Sequence, residues 1–263
     1  MTKDYPLISN LASVHPKAQL GNNVTVEAFV SISADVIIGD GTWIGPNAVI
    51  LDGTRIGKNC KIFPGAVIGG IPQDLKYKGE NSLAEIGNNT VIREYVTINR
   101  GTADRMTTKV GNNTMIMAYT HIAHDSLIGN HVILASYIGI VGHVTVEDYA
   151  IVEGLSGTQQ FITIGAHSFI AGCSQMRKSV PPYIRVAREP LQYIGVNIVG
   201  LTRRGFSKEA IKNIEDIYRI IFVRGYNMTK ALEMVEIDCP ETPERKQIVD
   251  FIRNEKDGIV KGI

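Results

Sequence analysis

The stretch from Val110 to Leu134, VGNNTMIMAYTHIAHDSLIGNHVIL, carries an aliphatic side chain at every sixth position. The same period runs from Val14 to Met176, where 24 of the 28 positions are Val, Leu, Ile or Met. The exceptions are Asp74, Glu80, Asp104 and Thr158. Because an amphipathic helix has a period of about 3.6 and a plain strand one of about 2, a period of six indicates an internal repeat.

Six residues build one short strand and one bend, and three such sides close a triangular coil of about eighteen residues. We expect the aliphatic residue to point inward and a small residue four positions later to occupy the tight corner. Gly and Asn after the aliphatic residue should relieve the turn, where φ can be positive. The repeat predicts an all-β parallel β-helix over residues 1–186, and its resemblance to hexapeptide-repeat proteins implies the left-handed form.

Two polar stretches, near 69–84 and 99–108, interrupt the repeat and predict loops that leave the β-helix. Long loops on a stable scaffold usually serve function or assembly. Beyond the repeats, Ser207 and Thr242 have the pattern of helix N-caps before apolar helical faces. The sequence therefore predicts a C-terminal α-helical domain over residues 187–263.

Composition limits the classes of function. The net charge is +1, which implies no general affinity for nucleic acid. No stretch reaches the length of an integral membrane segment, and the polar N-terminus lacks the apolar region of a signal peptide. Of the three cysteines, Cys60 and Cys173 occupy repeat positions suited to small buried residues, so we predict a reduced, cytoplasmic protein.

The strongest chemical signal lies in one coil, where His121 and His124 flank the inward-pointing Ile122. Stacking by eighteen places Gly142 above His124 and Gln160 above Gly142. The glycine would leave open space over the imidazole and bring its own N–H within about one strand spacing. Imidazole titrates near neutral pH, so this column suits a general base beside an oxyanion donor, as acyl transfer requires.

Two neighbours extend this cluster. His143 follows Gly142 and joins the site, and Asp125 could orient the imidazole of His124. Adjacent residues on a strand point to opposite sides, so the sequence leaves a direct contact between Asp125 and His124 open. A zinc site resembling that of the gamma-class carbonic anhydrases is the competing interpretation. The spacing of His121 and His124 does not suit paired ligands of that kind, and we predict no metal.

Seven motifs extend through the β-helix and into the helical domain: Gln73-Asp-Leu-Lys-Tyr-Lys-Gly-Glu80, Val96-Thr-Ile-Asn-Arg-Gly101, His121-Ile-Ala-His-Asp125, Gly142-His143, Ile164-Gly-Ala-His167, Val180-Pro-Pro-Tyr183 and Gly195-Val-Asn-Ile-Val-Gly-Leu-Thr-Arg-Arg-Gly-Phe206. With these motifs the chain closely resembles the UDP-N-acetylglucosamine acyltransferases, which perform the first committed step of lipid A synthesis. The resemblance implies transfer of a 3-hydroxyacyl chain from acyl carrier protein to the glucosamine 3-hydroxyl of UDP-N-acetylglucosamine.

The resemblance also implies roles for individual residues. His124 is expected to be the general base, Gly142 the oxyanion donor and Asp125 a further catalytic residue. Gly172 is expected to admit a long acyl chain. Substrate contacts are implied for Gln73, Asp74, Lys76, His121, His143, Gln160, Asn197, Arg203 and Arg204. Of these, Asp74 and Lys76 would hold the sugar and its diphosphate, and the two arginines would contact the nucleotide or the phosphopantetheine arm.

The family forms homotrimers with active sites between neighbouring chains, and the first loop is expected to reach across. No resident cofactor is implied, because the phosphopantetheine arrives on the carrier protein. Three positions depart from the family: Asn99 and Gln159 replace frequent histidines, and Val199 replaces an acid found in some members. The departures predict substrate binding without proton transfer at the first two positions, and altered nucleotide recognition at the third.

Other functions stay open. The N-acyltransferase of a later lipid A step normally carries an extra N-terminal domain, whereas the repeats here begin by Val14. An acetyltransferase that uses acetyl-CoA would not need a groove for a long acyl chain. A non-catalytic β-helical scaffold would have no use for the column of His124 and Gly142.

Overall fold

The computed structural model describes residues 7–262; residues 1–6 and 263, which belong to the two predicted domains, lie outside it. Short strands stack into three long sheets, and four helices follow. The predicted left-handed parallel β-helix with a C-terminal helical domain is confirmed. Each coil contributes one strand to each sheet, as three sides of a triangular prism.

The strand bounds follow the repeat. The first sheet contains β1 (Leu7–Ile8), β4 (Thr25–Val26), β7 (Trp43–Ile44), β10 (Lys61–Ile62), β13 (Val91–Ile92), β16 (Met115–Ile116), β19 (Ile133–Leu134), β22 (Ile151–Val152), β25 (Phe169–Ile170), β27 (Ile184–Ala187) and β28 (Gln192–Val196). The second contains β2 (Ser13–Val14), β5 (Ser31–Ile32), β8 (Val49–Ile50), β11 (Val67–Gly70), β14 (Thr97–Asn99), β17 (His121–Ile122), β20 (Gly139–Ile140), β23 (Gly157–Thr158) and β26 (Gln175–Met176). The third contains β3 (Gln19–Leu20), β6 (Val36–Ile38), β9 (Thr54–Ile56), β12 (Leu83–Ile86), β15 (Thr107–Val110), β18 (Leu127–Ile128), β21 (Thr145–Val146) and β24 (Thr163–Ile164).

The pairing register explains why the repeat stays in phase across the two loops. Ile122 pairs with Ile140, eighteen residues on, within an uninterrupted part of the β-helix. Across the first loop Ile62 pairs with Ile92, and across the second Ile98 pairs with Ile122. The loops therefore add twelve and six residues to a coil. Both additions are multiples of six, so every aliphatic residue after them still points into the core.

The core is a narrow column of aliphatic side chains, as predicted. Ile44, Ile50, Ile62, Ile116 and Ile122 are fully inaccessible to solvent. The small residues at the corners are also buried, and the polar ones form hydrogen bonds across the turn. Thus the hydroxyl of Thr114 donates to the carbonyl of Gly129 at 2.9 Å, and that of Ser126 to Val141 at 2.9 Å. These bonds let Ser and Thr occupy the corner without the cost of an unpaired buried hydroxyl.

The left-handed backbone expected at Gly and Asn after the aliphatic residue is confirmed for Asn, but it was wrong for the glycine that directly follows. Positive φ occurs three residues after the aliphatic residue, as at Asn59 and Asn113, and not at the glycine directly after it. That glycine is needed because two coils approach closely. A Cβ on Gly111 would lie 2.5 Å from the carbonyl carbon of Gly129 in the next coil. Cys173 also occupies a left-handed position and is exposed, unlike the buried Cys60, so its predicted burial was wrong.

This close approach predicts a large effect of Gly111→Ala on stability. The added methyl group would meet backbone atoms that cannot move without separating two coils, so we expect a loss of about 2–3 kcal/mol. Gly139→Ala is the matched control, since a Cβ there meets nothing within 4 Å. Thermal unfolding at one protein concentration would measure both variants. Equal midpoints for the two would contradict the packing role of Gly111.

In the described part of the chain, four helices follow the β-helix: α1 (Ile198–Arg203), α2 (Lys208–Phe222), α3 (Met228–Asp238) and α4 (Pro243–Asn254). Ser207 and Thr242 cap α2 and α4, as predicted. The proposed division between residues 186 and 187 falls inside β27, which continues the first sheet and pairs with β28 as an antiparallel hairpin. No helix within residues 7–262 is both long enough and apolar enough to cross a membrane.

Candidate active site

The predicted histidine cluster lies at the corner between the second and third sheets, just after β17. Asp125 has a left-handed backbone, with φ of 58°, so the alternation of a regular strand does not apply there. Its side chain therefore turns to the same side as that of His124, and Nδ1 of His124 lies 2.8 Å from Oδ2 of Asp125. The contact that the sequence left open is direct.

The carboxylate of Asp125 is completely buried and surrounded by donors. Its Oδ1 accepts from the backbone N–H groups of Thr102 at 3.0 Å and Arg105 at 3.2 Å, and its Oδ2 accepts from the Thr102 hydroxyl at 2.6 Å. Burial by itself would raise the pKa of Asp125, but these bonds and the one from His124 outweigh it and lower the pKa. The carboxylate is therefore ionised at neutral pH.

An ionised partner at Nδ1 determines the tautomer of His124. Because the carboxylate can only accept, Nδ1 carries the proton and Nε2 keeps a free lone pair. Gly142 lies over this nitrogen, as predicted: a Cβ there would be 2.8 Å from Nε2. The basic nitrogen of His124 thus lies against the backbone of Gly142, whose N–H has no acceptor among the described residues.

The two neighbouring histidines differ in their surroundings. His143 packs edge-on against His124, with ring centres 5.1 Å apart, and stacks on Phe161 at 4.7 Å. Its Nδ1 lies 3.0 Å from Oδ2 of Asp104, although the angle is not that of a hydrogen bond. His121 shares a hydrogen bond of 2.7 Å with the hydroxyl of Thr97. Burial lowers the pKa of His121, and the nearby His124 lowers it further.

Most atoms that could bind a cation at this cluster already take part in hydrogen bonds. Ligand atoms of His124, Asp125 and His143 do lie within 4.8 Å of one another. Both carboxylate oxygens already accept two hydrogen bonds each, and Nδ1 of His124 faces the carboxylate as a donor. A metal would have to displace these donors. The chemistry of the donor set therefore disfavours a metal at this position.

The first loop contributes to a cleft of about 400 Å³ beside the histidines. Asp74 and Lys76 line it together with Asp104, His143 and Phe161. Gln73 and Lys76 are exposed, and Oδ1 of Asp74 accepts from the N–H of Lys76 at 2.9 Å. A larger depression of about 780 Å³ lies between the third sheet and α4. None of the predicted site residues lines this depression.

Asn197 and Arg204 do not approach His124 within one chain. Both lie at the corner between the third and first sheets. Buried Asn197 caps α1 and donates to the carbonyl of His167 at 2.9 Å, and Arg204 donates to the carbonyl of Tyr149 at 2.8 Å. Arg203 is exposed.

The remaining predicted positions are more scattered. Gln159 and Gln160 are exposed on the coil that follows Gly142. Asn99 is buried and donates to the carbonyl of Ile71. This bond joins the start of the second loop to the start of the first. Gly172 lies at the corner between the first and second sheets, where a Cβ would be 3.3 Å from the carbonyl oxygen of Gly154. Val199 is exposed on α1.

Sequence reasoning missed Thr102, Arg105 and Phe161. Stacking by eighteen gives no reason to place Thr102 near Asp125. The signal that could have found it is the length of the second loop. That loop lengthens its coil from 18 to 24 residues, as the pairing of Ile98 with Ile122 shows. The residue that lies below Asp125 is therefore about 24 positions earlier in the chain, close to Thr102.

Comparison with known proteins agrees along nearly the whole chain. The family described as "Udp N-acetylglucosamine O-acyltransferase; Domain 2" matches residues 180–260, and bacterial transferase hexapeptide repeats match residues 35–70 and 107–137. The acyl-[acyl-carrier-protein]–UDP-N-acetylglucosamine O-acyltransferase of Sulfurihydrogenibium sp. is 51% identical over 95% of this chain and 94% of its own. The corresponding enzyme of Thermodesulfovibrio yellowstonii is 42% identical over 97% and 99%.

Solved structures give the same result. A UDP-N-acetylglucosamine acyltransferase from Bacteroides fragilis has a TM-score of 0.96 and 50% identity, covering 97% of this chain and 100% of its own. The Francisella novicida enzyme has a TM-score of 0.94 and 39% identity, with coverages of 97% and 94%. Sequence identity and fold agree over the β-helix and the helical domain alike, and the chain is thus an acyltransferase that belongs to the UDP-N-acetylglucosamine O-acyltransferase family.

Proposed function

We propose that this acyltransferase moves a 3-hydroxyacyl chain from acyl carrier protein to the glucosamine 3-hydroxyl of UDP-N-acetylglucosamine, the first step of lipid A biosynthesis, in the cytoplasm. The observation that carries the proposal is the His124–Asp125 pair beside the unused N–H of Gly142. The full-length relatives are named for an acyl carrier protein donor and this nucleotide sugar, which supports the choice of substrates.

In the proposed reaction, Nε2 of His124 takes the proton of the 3-hydroxyl as its oxygen attacks the thioester carbonyl. The negative charge that develops on the carbonyl oxygen accepts a hydrogen bond from Gly142. The tetrahedral intermediate then expels the phosphopantetheine thiolate, which takes the proton back from His124. Asp125 stabilises the imidazolium between these two steps. The products are the O-acylated nucleotide sugar and the free thiol of the carrier.

Substrate binding is assigned to the residues around this centre. Asp74 and Lys76 of the first loop would hold the sugar and diphosphate, with Gln73, His121, His143 and Gln160 as further contacts. Because Asn197, Arg203 and Arg204 lie far from His124 in one chain, they would serve the site of a neighbouring chain. No resident cofactor takes part, since the proposed donor carries its own phosphopantetheine.

A homotrimer is supported by the surface of the first sheet. The outward residues of five successive coils there are apolar and half-buried: Val91, Met115, Ile133, Ile151 and Phe169. Along the adjoining corner Tyr95, Tyr119 and Tyr137 stack at about 5 Å and are each at least half exposed. An apolar face of this extent is typical of a surface that packs against other copies of the chain.

Gly172→Met tests the proposed acyl groove. The glycines at positions 139, 154, 157 and 172 leave the surface near the second sheet without side chains, and a methionine would obstruct it. We expect kcat/KM for the longest 3-hydroxyacyl donor to fall about tenfold or more. Each methylene of the chain that can no longer be buried should lower kcat/KM about fourfold, and the methionine would displace several of them. The shortest donors and Gly172→Ala should change little in the same donor series. A parallel loss for all donors would contradict a role in length selection.

Transfer from a series of 3-hydroxyacyl carrier proteins to UDP-N-acetylglucosamine tests the proposed function itself. Mass spectrometry and NMR of the product would report the chain length and the acylated oxygen. We expect one O-acyl product at the 3-position with at least one donor. Absence of product with every donor, or acylation with acetyl-CoA alone, would overturn the assignment.

A further inference from the structure

The second loop, predicted near 99–108, comprises residues 100–106 between β14 and β15, and it packs on Asp125 from the coil below. Thr102 is 7% exposed and donates through both its hydroxyl and its backbone N–H. Arg105 donates its backbone N–H to the carboxylate and its guanidinium to the backbone carbonyl of Asp125 at 2.9 Å. From β15, the hydroxyl of Thr108 accepts from the N–H of Asp125 at 2.8 Å. Five hydrogen bonds thus hold one residue from the coil below it.

These contacts define the plane of the carboxylate. Oδ1 is held by the two backbone N–H groups, so the carboxylate cannot rotate freely, and Oδ2 is left for the Thr102 hydroxyl and Nδ1 of His124. The other charged or titratable groups nearby are His143, whose Nε2 lies 3.9 Å from Oδ2, and Asp104, beside His143. The Arg105 guanidinium lies on the carbonyl of Asp125, and His121 is close enough to interact with His124. The hydroxyl of Thr102 is therefore the side-chain donor that competes with His124 for the same oxygen.

We propose that the second loop is a clamp that holds Asp125 in place for His124, with Thr102 as the positioning residue. The proposal rests on the proposed function and assigns a role to a loop that the reaction chemistry does not otherwise use. Thr102 lines the cleft that Asp74 and Lys76 share, but its hydroxyl and N–H both donate to Asp125, so we assign it no contact with substrate or the reacting atoms. It acts by sharing the charge of Oδ2, and so sets how strongly Asp125 holds a protonated His124.

Removing the Thr102 hydroxyl has a predictable sign. With one donor fewer, the negative charge on Oδ2 interacts more strongly with the His124 imidazolium. The imidazolium then loses its proton at a higher pH, so the acid limb of kcat/KM should move up by about 0.5–1 pH unit in Thr102→Val. Thr102→Ser keeps the hydroxyl and should leave the limb in place.

The test measures kcat/KM against pH for wild type, Thr102→Val and Thr102→Ser. Thr114→Val is the matched control, because Thr114 is also buried and its hydroxyl also bonds within the β-helix, but to Gly129 and away from the site. It should lower thermal stability without moving the acid limb. If Thr102→Val does not fold, Thr102→Ala removes the same hydroxyl with less steric change. An unshifted limb in a folded variant would overturn the clamp.

A second readout separates this proposal from the proposed function. Side-chain ¹⁵N shifts in histidine-labelled protein report the tautomer and titration of His124 without any substrate. We expect the Nδ1–H tautomer in wild type and a raised titration midpoint in Thr102→Val. The same midpoint in both proteins would overturn the clamp even if transfer is observed. A shifted midpoint in a protein that transfers nothing would keep the clamp and reject the reaction.

Discussion

Replacing His124 with alanine should lower kcat by about 10² to 10⁴, the range typical of a lost general base. Nε2 of His124 is the basic nitrogen next to the unused N–H of Gly142, and alanine leaves nothing there to take the proton of the attacking hydroxyl. His15→Ala is the matched control, since His15 is exposed near the first coil, where its Nδ1 accepts only from the N–H of Lys17 among the described residues. Steady-state transfer at saturating substrate would compare the three proteins. Activity of His124→Ala within about threefold of wild type would contradict the general-base role.

Asp125→Asn should also lower kcat, on the order of 10² to 10⁴, by inverting the tautomer of His124. An amide has one accepting oxygen, and the backbone N–H groups of Thr102 and Arg105 both point at the Oδ1 position. The oxygen is therefore held there, and the NH₂ faces His124. Nδ1 must then accept, the ring proton moves to Nε2, and the nitrogen that should act as base becomes a donor.

The stability of Asp125→Asn provides the control for this argument. The Thr102 hydroxyl can rotate to accept from the new NH₂, so the variant should fold, with a loss of about 1–3 kcal/mol from weakened buried hydrogen bonds. The ring ¹⁵N shifts of His124 should show the Nε2–H tautomer. A folded variant with the wild-type tautomer and wild-type kcat would show that Asp125 does not orient the base.

Much of the fold could be predicted because the repeat is local and redundant. The inward positions of Ile44 and Ile122, and the small corner at Thr114, follow from a period that recurs in every coil. The roles of the glycines could not be read from the same period. Gly111 is required because the backbone of Gly129 in the next coil lies against it, and a period along one chain does not report the distance between coils.

The site was predictable where stacking governs it and not where a loop does. Gly142 lies over His124 because eighteen residues separate them. The direct bond between His124 and Asp125 depends on a left-handed φ at the corner, which a strand pattern does not report. Thr102 reaches Asp125 only because the second loop changes the coil length. Short α1 also escaped prediction, since six residues carry too little periodicity.

Metal-free general-base catalysis by His124 is tested most directly by chemical rescue of His124→Gly with imidazole, with a chelator present throughout. The open space beside Gly142 should admit the free base where the side chain was. We expect wild-type transfer that resists the chelator, a loss of about 10² or more in the variant, and recovery of about tenfold with imidazole. Wild-type activity abolished by the chelator, or a variant as active as wild type, would contradict metal-free general-base catalysis by His124.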